Sequence, residues 1–254
     1  MTPLAAALWT VTLTLLAAVC TELTQAARPG AESDIVNVAA CEVLATSLVL
    51  FAMVRIHARE ASLRVTLAFR TIAPLHALLS VAVGAGLYPL LTTIDDLILR
   101  RWPVQDPEIA KSLEKLVASS SPAALVVAAL VIMPVAREVF FRGMLYGGVK
   151  RSAGMATALL VTSVCYACAS LQWQDMPTLL VLGLAAGWLT ERTETVLSAV
   201  LAQLAYGAVQ GIPILRGADP MADVSYSKKW IIGGAVIALL ALVAVGAGRK
   251  EEEE

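Results

Sequence analysis

Charge is scarce in this sequence. Asp, Glu, Lys and Arg make up 15% of its 254 residues, whereas a soluble domain usually carries about 25%. The net charge of −1 provides no general attraction to nucleic acid, so we expect no nucleic-acid partner. Cysteine is also rare: Cys20, Cys41, Cys165 and Cys168 lie in or beside apolar segments and give no disulfide framework. We interpret the C-x-x-C of Cys165 and Cys168 as helix packing rather than a redox or metal site.

Apolar residues, in contrast, are abundant. Hydrophobic residues make up 58% of the chain and the mean hydropathy is +0.76. Apolar runs long enough to cross a bilayer recur along the chain. We place them at 3–21, 35–54, 71–92, 122–145, 153–171, 175–190, 195–214 and 230–248. No Lys or Arg precedes the first run, so we interpret it as a mature helix rather than a signal peptide. The sequence therefore predicts an all-α, polytopic membrane helix bundle of about eight transmembrane helices.

Basic residues in the short loops predict the orientation of this bundle. They follow alternate runs, at Arg55, Arg59, Arg64, Arg70, Lys150, Arg151, Arg192, Arg249 and Lys250. The opposite loops carry the acidic residues Glu32, Asp34, Asp95, Asp96 and Asp175. Because Lys and Arg accumulate on the cytoplasmic side, we expect both termini in the cytoplasm. The longer segment 93–121 is predicted to be an amphipathic interfacial stretch on the outer face, and Glu251–Glu254 a solvated tail.

The densest charged cluster within an apolar run is Arg137, Glu138 and Arg142. Ionisable groups inside a membrane span are costly unless they are paired or hydrated. Glu138 and Arg142 are four positions apart, which favours an ion pair within one helix. Arg137 points about 100° away from Glu138, and Glu42 in the second run is a hypothetical partner for it. Alternatively, Glu42 faces lipid headgroups or a polar pocket between helices. We interpret His76 as a hydrogen-bonded packing residue rather than a proton carrier.

Residues 137–145, Arg-Glu-Val-Phe-Phe-Arg-Gly-Met-Leu, resemble the first motif of the CPBP family of intramembrane endopeptidases, Glu-Glu-x-x-x-Arg. That family includes the Rce1-type CAAX prenyl proteases and the bacteriocin-processing or immunity (Abi) proteins. Residues 163–170 are similar to its second motif, in which an aromatic residue precedes a histidine by four positions. Residues 183–193 are similar to its glycine-rich helix ending in Glu-Arg-Thr. Residues 198–207 occupy the place of its His-x-x-x-Asn. The resemblance covers about residues 120–212.

The resemblance implies that this chain has lost the family's catalytic groups. In the family, the first glutamate and the second-motif histidine activate a water, and the last histidine and asparagine stabilise the oxyanion. The corresponding positions here are Arg137, Ser170, Gln203 and Gly207, while Glu138 and Arg142 are retained. We therefore expect no catalytic residues, no cofactor and no zinc site. The expected function is that of a degenerate, non-catalytic pseudoprotease in a bacterial cytoplasmic membrane.

The resemblance also suggests a cavity among the fourth to seventh spans, with Arg137, Glu138 and Gln203 as binding residues. We expect a ligand there to present an anion to Arg137. The expected partners are membrane lipid and either an active paralogous protease or a membrane-anchored peptide substrate. The chain divides into N-terminal transmembrane helices at 1–120, motif-bearing helices at 121–215, and the last helix with its acidic tail at 216–254.

Three other interpretations stay open. The first is an active intramembrane endopeptidase with a relocated site, for which Glu138, His76 and Cys165 are the candidate residues. The second is a transporter or channel, in which the charged residues within the spans line an anion path. The third is an immunity-type or assembly factor that binds no peptide. The sequence favours the pseudoprotease because the helices around the motif positions keep their framework residues.

Overall fold

The computed structural model describes residues 1–57, 63–103, 107–220 and 225–248. Within these residues the chain is helical and contains no strand. The main helices are α1 Pro3–Ala27, α2 Ile35–His57, α3 Pro74–Arg101, α4 Pro107–Ser119, α5 Pro122–Ala153, α6 Met155–Cys168, α7 Met176–Thr193, α8 Val196–Leu215 and α9 Lys228–Gly248. The short helices Ala31–Ser33 and Leu63–Thr66 lie between them. A helix occupies each of the eight predicted spans, so the prediction of a polytopic helical bundle is confirmed.

Six of these helices, α1, α2, α3, α5, α8 and α9, are long and apolar enough to cross a membrane. The other two predicted spans, helices α6 and α7, do not meet this criterion of length and apolarity. Helix α6 has 14 residues and is about 21 Å long, which is shorter than a hydrocarbon core of about 30 Å. Helix α7 has 18 residues and ends with Glu191 and Arg192. Exposed leucines such as Leu4, Leu8 and Leu15 on α1 give the bundle an apolar outer surface. The chain is an integral membrane protein.

Contacts between loops show which loops lie together at each end of the bundle. At one end, the Met1 ammonium donates to the carbonyl of Gly148 at 3.0 Å, and Arg70 pairs with Glu194 at 2.5 Å. At the other end, Ser119 donates to the carbonyl of Ser33. The loops predicted to share a side therefore meet. We call the first the inner end and the second the outer end; their assignment to the cytoplasm and the exterior stays a prediction. The expected inner residues Arg59, Arg249 and Lys250 and the tail Glu251–Glu254 lie outside the described residues.

Two separate helices contribute to the segment 93–121 that was predicted to be amphipathic. Residues up to Arg101 continue helix α3, and α4 is a separate helix. Helix α3 stays helical past the apolar run because its polar side chains find partners: Asp95 accepts a hydrogen bond from Thr178 on α7. Helix α4 packs Leu116 and Val117 against the outer end of the bundle. Residues 93–101 therefore belong to helix α3, and the interfacial position expected for 93–121 stays a prediction.

Helix α5 is irregular in the region that carries the first motif. It contains π-helical segments at Ala128–Ile132 and Val139–Tyr146, on either side of the α-helical segment Met133–Glu138. Pro134 lacks an N–H and cannot donate to the carbonyl of Leu130, and a wider turn accommodates that gap. Wider turns of this kind are frequent at functional sites. Glu138 ends the α-helical segment, and Arg142 lies in the second π-helical segment.

Glycines bring helices α3, α8 and α9 into backbone contact. A Cβ added at Gly86 on α3 would lie 2.6 Å from the carbonyl oxygen of Gly234 on α9, and one added at Gly234 would lie 2.5 Å from that of Gly86. Small residues at membrane helix interfaces allow this close approach. The three helices pack together on one side of the bundle. Helices α5 and α7, which carry the first motif and the glycine-rich stretch, pack against them.

Candidate functional site

Glu138 and Arg142 form an ion pair in the interior of the bundle. Both side chains have no exposed surface, and Nε of Arg142 lies 3.4 Å from Oε2 of Glu138. The predicted pair within one helix is therefore present. A buried charge that loses its partner costs about 3–5 kcal/mol, whereas a matched pair contributes little net stability. Removal of either Glu138 or Arg142 would consequently leave the other as an unpaired buried charge.

Gln203 on α8 joins this pair to the second motif. Its Nε2 donates to Oε1 of Glu138 at 3.1 Å and to the hydroxyl of Tyr166 on α6 at 2.5 Å. The guanidinium of Arg142 lies over the Tyr166 ring, 4.6 Å from the ring centroid. Three of the stretches identified in the sequence thus converge on one buried cluster of Glu138, Arg142, Tyr166 and Gln203, which we call the buried polar cluster.

The glycine-rich helix α7 completes the surroundings of Arg142. Nη2 of Arg142 donates to the carbonyl of Gly183 at 2.7 Å. A Cβ at Gly183 would lie 3.0 Å from that nitrogen and 3.2 Å from the Cβ of Ser163. Gly183 is therefore required for the arginine to reach the α7 backbone. Within the described residues, Nη1 of Arg142 and Oγ of Ser163 have no hydrogen-bond partner.

Arg137 pairs with Glu42, as hypothesised. Its Nε donates to Oε1 of Glu42 at 2.5 Å and its Nη2 to Oε2 at 3.1 Å. The Arg137 side chain is 33% exposed and that of Glu42 is 12% exposed. Burial raises the pKa of the nearby Asp175 carboxyl, and the positive charge of Arg137 partly opposes this rise. Glu42 therefore neutralises Arg137, and the expectation of an anionic ligand at this arginine stays a prediction.

Gly207 and Ser170 make structural contacts within the bundle. A Cβ at Gly207 would lie 2.9 Å from the carbonyl oxygen of Leu130 and 3.1 Å from the Leu130 Cβ. Helices α5 and α8 therefore touch at the position where the family's asparagine was expected. The Ser170 hydroxyl lies within hydrogen-bond distance of the carbonyls of Ala167 and Gln172, at 3.0 and 3.1 Å. It stabilises the turn after α6.

Comparison with known proteins agrees with these motifs. The family model described as "Type II CAAX prenyl endopeptidase Rce1-like" matches residues 119–209. The match covers about a third of the chain, and we call these matched residues the Rce1-like domain. The match is consistent with a member of the CPBP family and indicates an intramembrane protease-type protein. Neither a curated protein nor a solved structure matches the chain. The division of the chain at residues 120 and 215 stays a prediction.

A cavity of about 230 Å³ lies beside Arg137, at one side of the Rce1-like domain. Helix α1 lines it with Leu13, Thr14, Ala17, Ala18 and Thr21, α2 with Val38 and Glu42, α5 with Arg137 and Phe141, and the end of α6 with Ala169 and Leu171. The cavity was expected among the fourth to seventh spans, but the first two helices form much of its wall. Glu138 and Gln203 were expected to bind ligand; they lie in the buried polar cluster and do not line this cavity.

The other candidate residues do not assemble into a second site in the described part of the chain. Within the described residues, no hydrogen bond or ion pair joins Glu138, His76 or Cys165 to one another. Cys165 is buried among apolar side chains, while Cys168 is exposed; both are free thiols. In the described part of the chain, no three His, Cys, Asp or Glu side chains lie close enough to hold a metal ion.

A polar cluster at the inner end of the bundle was not predicted from the sequence. Lys150 on α5 contacts both carboxylate oxygens of Glu191 on α7, at 2.6 and 2.8 Å. The Tyr146 hydroxyl donates to the same carboxylate at 2.8 Å. The i, i+4 spacing of Tyr146 and Lys150 on α5 was a signal for one shared helix face. The partner on α7, 41 residues away, was not visible in the sequence.

Proposed function

We propose that this protein is a pseudoprotease: a non-catalytic Rce1-like protein that binds a membrane-anchored peptide segment and presents it to an active paralogue or regulates that paralogue. The observation that carries the proposal is the contact at Gly207. An oxyanion-stabilising side chain needs space at this position, and the Leu130 carbonyl fills that space. The bundle is therefore packed around the absence of the family's asparagine.

The remaining motif positions support the same conclusion. Arg137 cannot act as a general base because a guanidinium stays protonated in proteins. Its side chain is also engaged in an ion pair with Glu42. Gln203 uses its amide on Glu138 and Tyr166. General acid–base catalysis contributes about 10²–10⁴-fold and one oxyanion donor about 10²–10³-fold. The loss of both leaves no efficient route to peptide hydrolysis.

The cavity beside Arg137 provides a place for a peptide segment. Its walls are mainly apolar, and the bidentate Arg137–Glu42 pair supplies polar atoms on one side. A peptide backbone in an apolar environment needs hydrogen-bond partners. A partly exposed guanidinium can donate to a carbonyl while it keeps its carboxylate. This chemistry suits a neutral, apolar peptide segment better than an anionic one.

Site-specific photo-crosslinking tests this proposal. A photo-reactive amino acid is placed at Ala17, which lines the cavity, in the full-length protein in its native membrane. The matched control is the same substitution at Leu15, which is 61% exposed on the outer surface of α1. We expect a discrete peptide or protein adduct from Ala17 that is absent from Leu15, with mass spectrometry identifying the crosslinked segment. Lipid adducts alone at both positions would overturn the proposal.

A further inference from the structure

A second cavity opens at the inner end of the bundle. It has a volume of about 220 Å³, far more than the roughly 10–15 Å³ that one water requires. The charged residues that line it are Arg70, Arg142, Lys150, Arg151, Glu191 and Glu194. It shares no lining residue with the cavity beside Arg137. The pseudoprotease proposal does not use it.

Basic side chains outnumber acidic ones around this cavity, and three of the four basic ones pair with a carboxylate. Lys150 pairs with Glu191, and Arg70 pairs with Glu194. Arg142 pairs with Glu138, which lies outside the lining residues. Arg151 is exposed and forms no ion pair within the described residues. Four basic and two acidic side chains therefore line the cavity.

The innermost of these residues has an unused hydrogen-bond donor. Arg142 lines the cavity although it is only 1% exposed. Its Nη2 donates to Gly183, and its Nε lies 3.4 Å from Glu138 without forming a hydrogen bond, while Nη1 has no partner at all in the described part of the chain. A buried donor without an acceptor costs free energy, more so when it is charged. An anionic oxygen in the cavity would satisfy this nitrogen.

The cavity also follows helix α5, because Arg142 and Lys150, eight residues apart on that helix, both line it. Basic pockets between transmembrane helices at the cytoplasmic side bind anionic lipid headgroups, and arginine is well suited to phosphate oxygens. We propose that this inner-end cavity binds a phosphate group, supplied by an anionic lipid headgroup or by soluble phosphate. Arg142 binds it from within, and Arg70 and Arg151 bind it at the mouth.

The test compares ligand retention by the full-length protein and by two variants. Arg70→Gln/Arg151→Gln removes two charges at the mouth and leaves the buried residues intact. The matched control is Arg28→Gln at the outer end, because Arg28 and Arg70 are each more than 60% exposed and each pairs with one carboxylate. Native mass spectrometry measures bound phosphatidylglycerol after reconstitution in mixed phosphatidylglycerol and phosphatidylcholine nanodiscs. Thermal unfolding in detergent, with and without inorganic phosphate, forms the second arm.

We expect the wild type and Arg28→Gln to retain the anionic phosphate ligand equally. We expect the double variant to bind it more weakly by about fivefold for each basic residue removed. Retention of phosphatidylglycerol without stabilisation by inorganic phosphate identifies a lipid headgroup as the source. Stabilisation by inorganic phosphate that the double variant loses identifies a soluble phosphate. Equal behaviour of all three proteins in both arms would overturn the proposal, whatever the outcome of the peptide crosslinking.

Discussion

The contact between Gly207 and Leu130 gives the sharpest mutational prediction. Gly207→Ala adds one Cβ on α8 that would lie 2.9 Å from the carbonyl oxygen of Leu130 on α5. The obstructing atom belongs to a helix backbone and cannot rotate away as the end of a side chain can. Overpacking of this kind costs about 1–3 kcal/mol, so we expect α5 and α8 to be forced apart and the protein to be destabilised.

The intrinsic preference of alanine for helices opposes this cost and needs a matched control. Replacing a helical glycine by alanine gains about 1 kcal/mol from propensity alone. Gly233 on α9 has nothing within 4 Å of its added Cβ, so Gly233→Ala reports that gain without the clash. Gly207→Ala should therefore be less stable than Gly233→Ala by about 1–3 kcal/mol.

The assay is unfolding in detergent micelles by heat or by a denaturing detergent, with the folded fraction followed by circular dichroism. Gly207→Asn, which introduces the asparagine of the family motif, should be less stable still because its side chain is larger. Equal stability of Gly207→Ala and Gly233→Ala would show that the helices are not in contact at this position. The structural argument against an oxyanion donor would then fail.

Three further predictions concern the charged groups. Arg137→Glu should lower the amount of folded protein in the membrane, because it places a carboxylate beside Glu42, and Arg137→Glu/Glu42→Arg should recover it; fluorescence-detected size exclusion measures both, and no recovery would contradict a direct pair. Gly183→Ala should be less stable than Gly233→Ala by about 1–3 kcal/mol, through loss of the charge-assisted hydrogen bond from Arg142, measured by thermal unfolding; equal stability of the two variants would contradict it. Glu138→Gln should destabilise by about 3–5 kcal/mol, because it leaves Arg142 buried without an opposite charge, and a wild-type unfolding curve would refute the mutual dependence of the pair.

Much of the fold could be predicted because apolar runs in a membrane protein report helices directly. The end of α3 was misjudged, since Asp95 and Asp96 look like loop residues until Thr178 on α7 is seen to donate to Asp95. Helix α6 was predicted as a span although its helical part has only 14 residues. Hydropathy does not distinguish helix from the apolar turn that follows it.

The candidate site could be predicted only in part. Spacing along one helix indicated the Glu138–Arg142 pair, and the need to compensate a buried charge indicated the Arg137–Glu42 pair. The hydrogen bond from Gln203 to Glu138 joins residues 65 positions apart, and no local pattern encodes it. The close approach at Gly207 depends on how α8 sits against the irregular helix α5. It therefore required the structure.

The most direct test of the central claim is peptide hydrolysis by the purified full-length protein in nanodiscs. The substrate is a fluorogenic prenylated peptide with a CAAX terminus, and an active type II CAAX prenyl endopeptidase serves as the positive control. We expect no cleavage above the empty-nanodisc background while the control enzyme cleaves. Cleavage by the wild type above that background would contradict it, because the protein would then contain a working catalytic group.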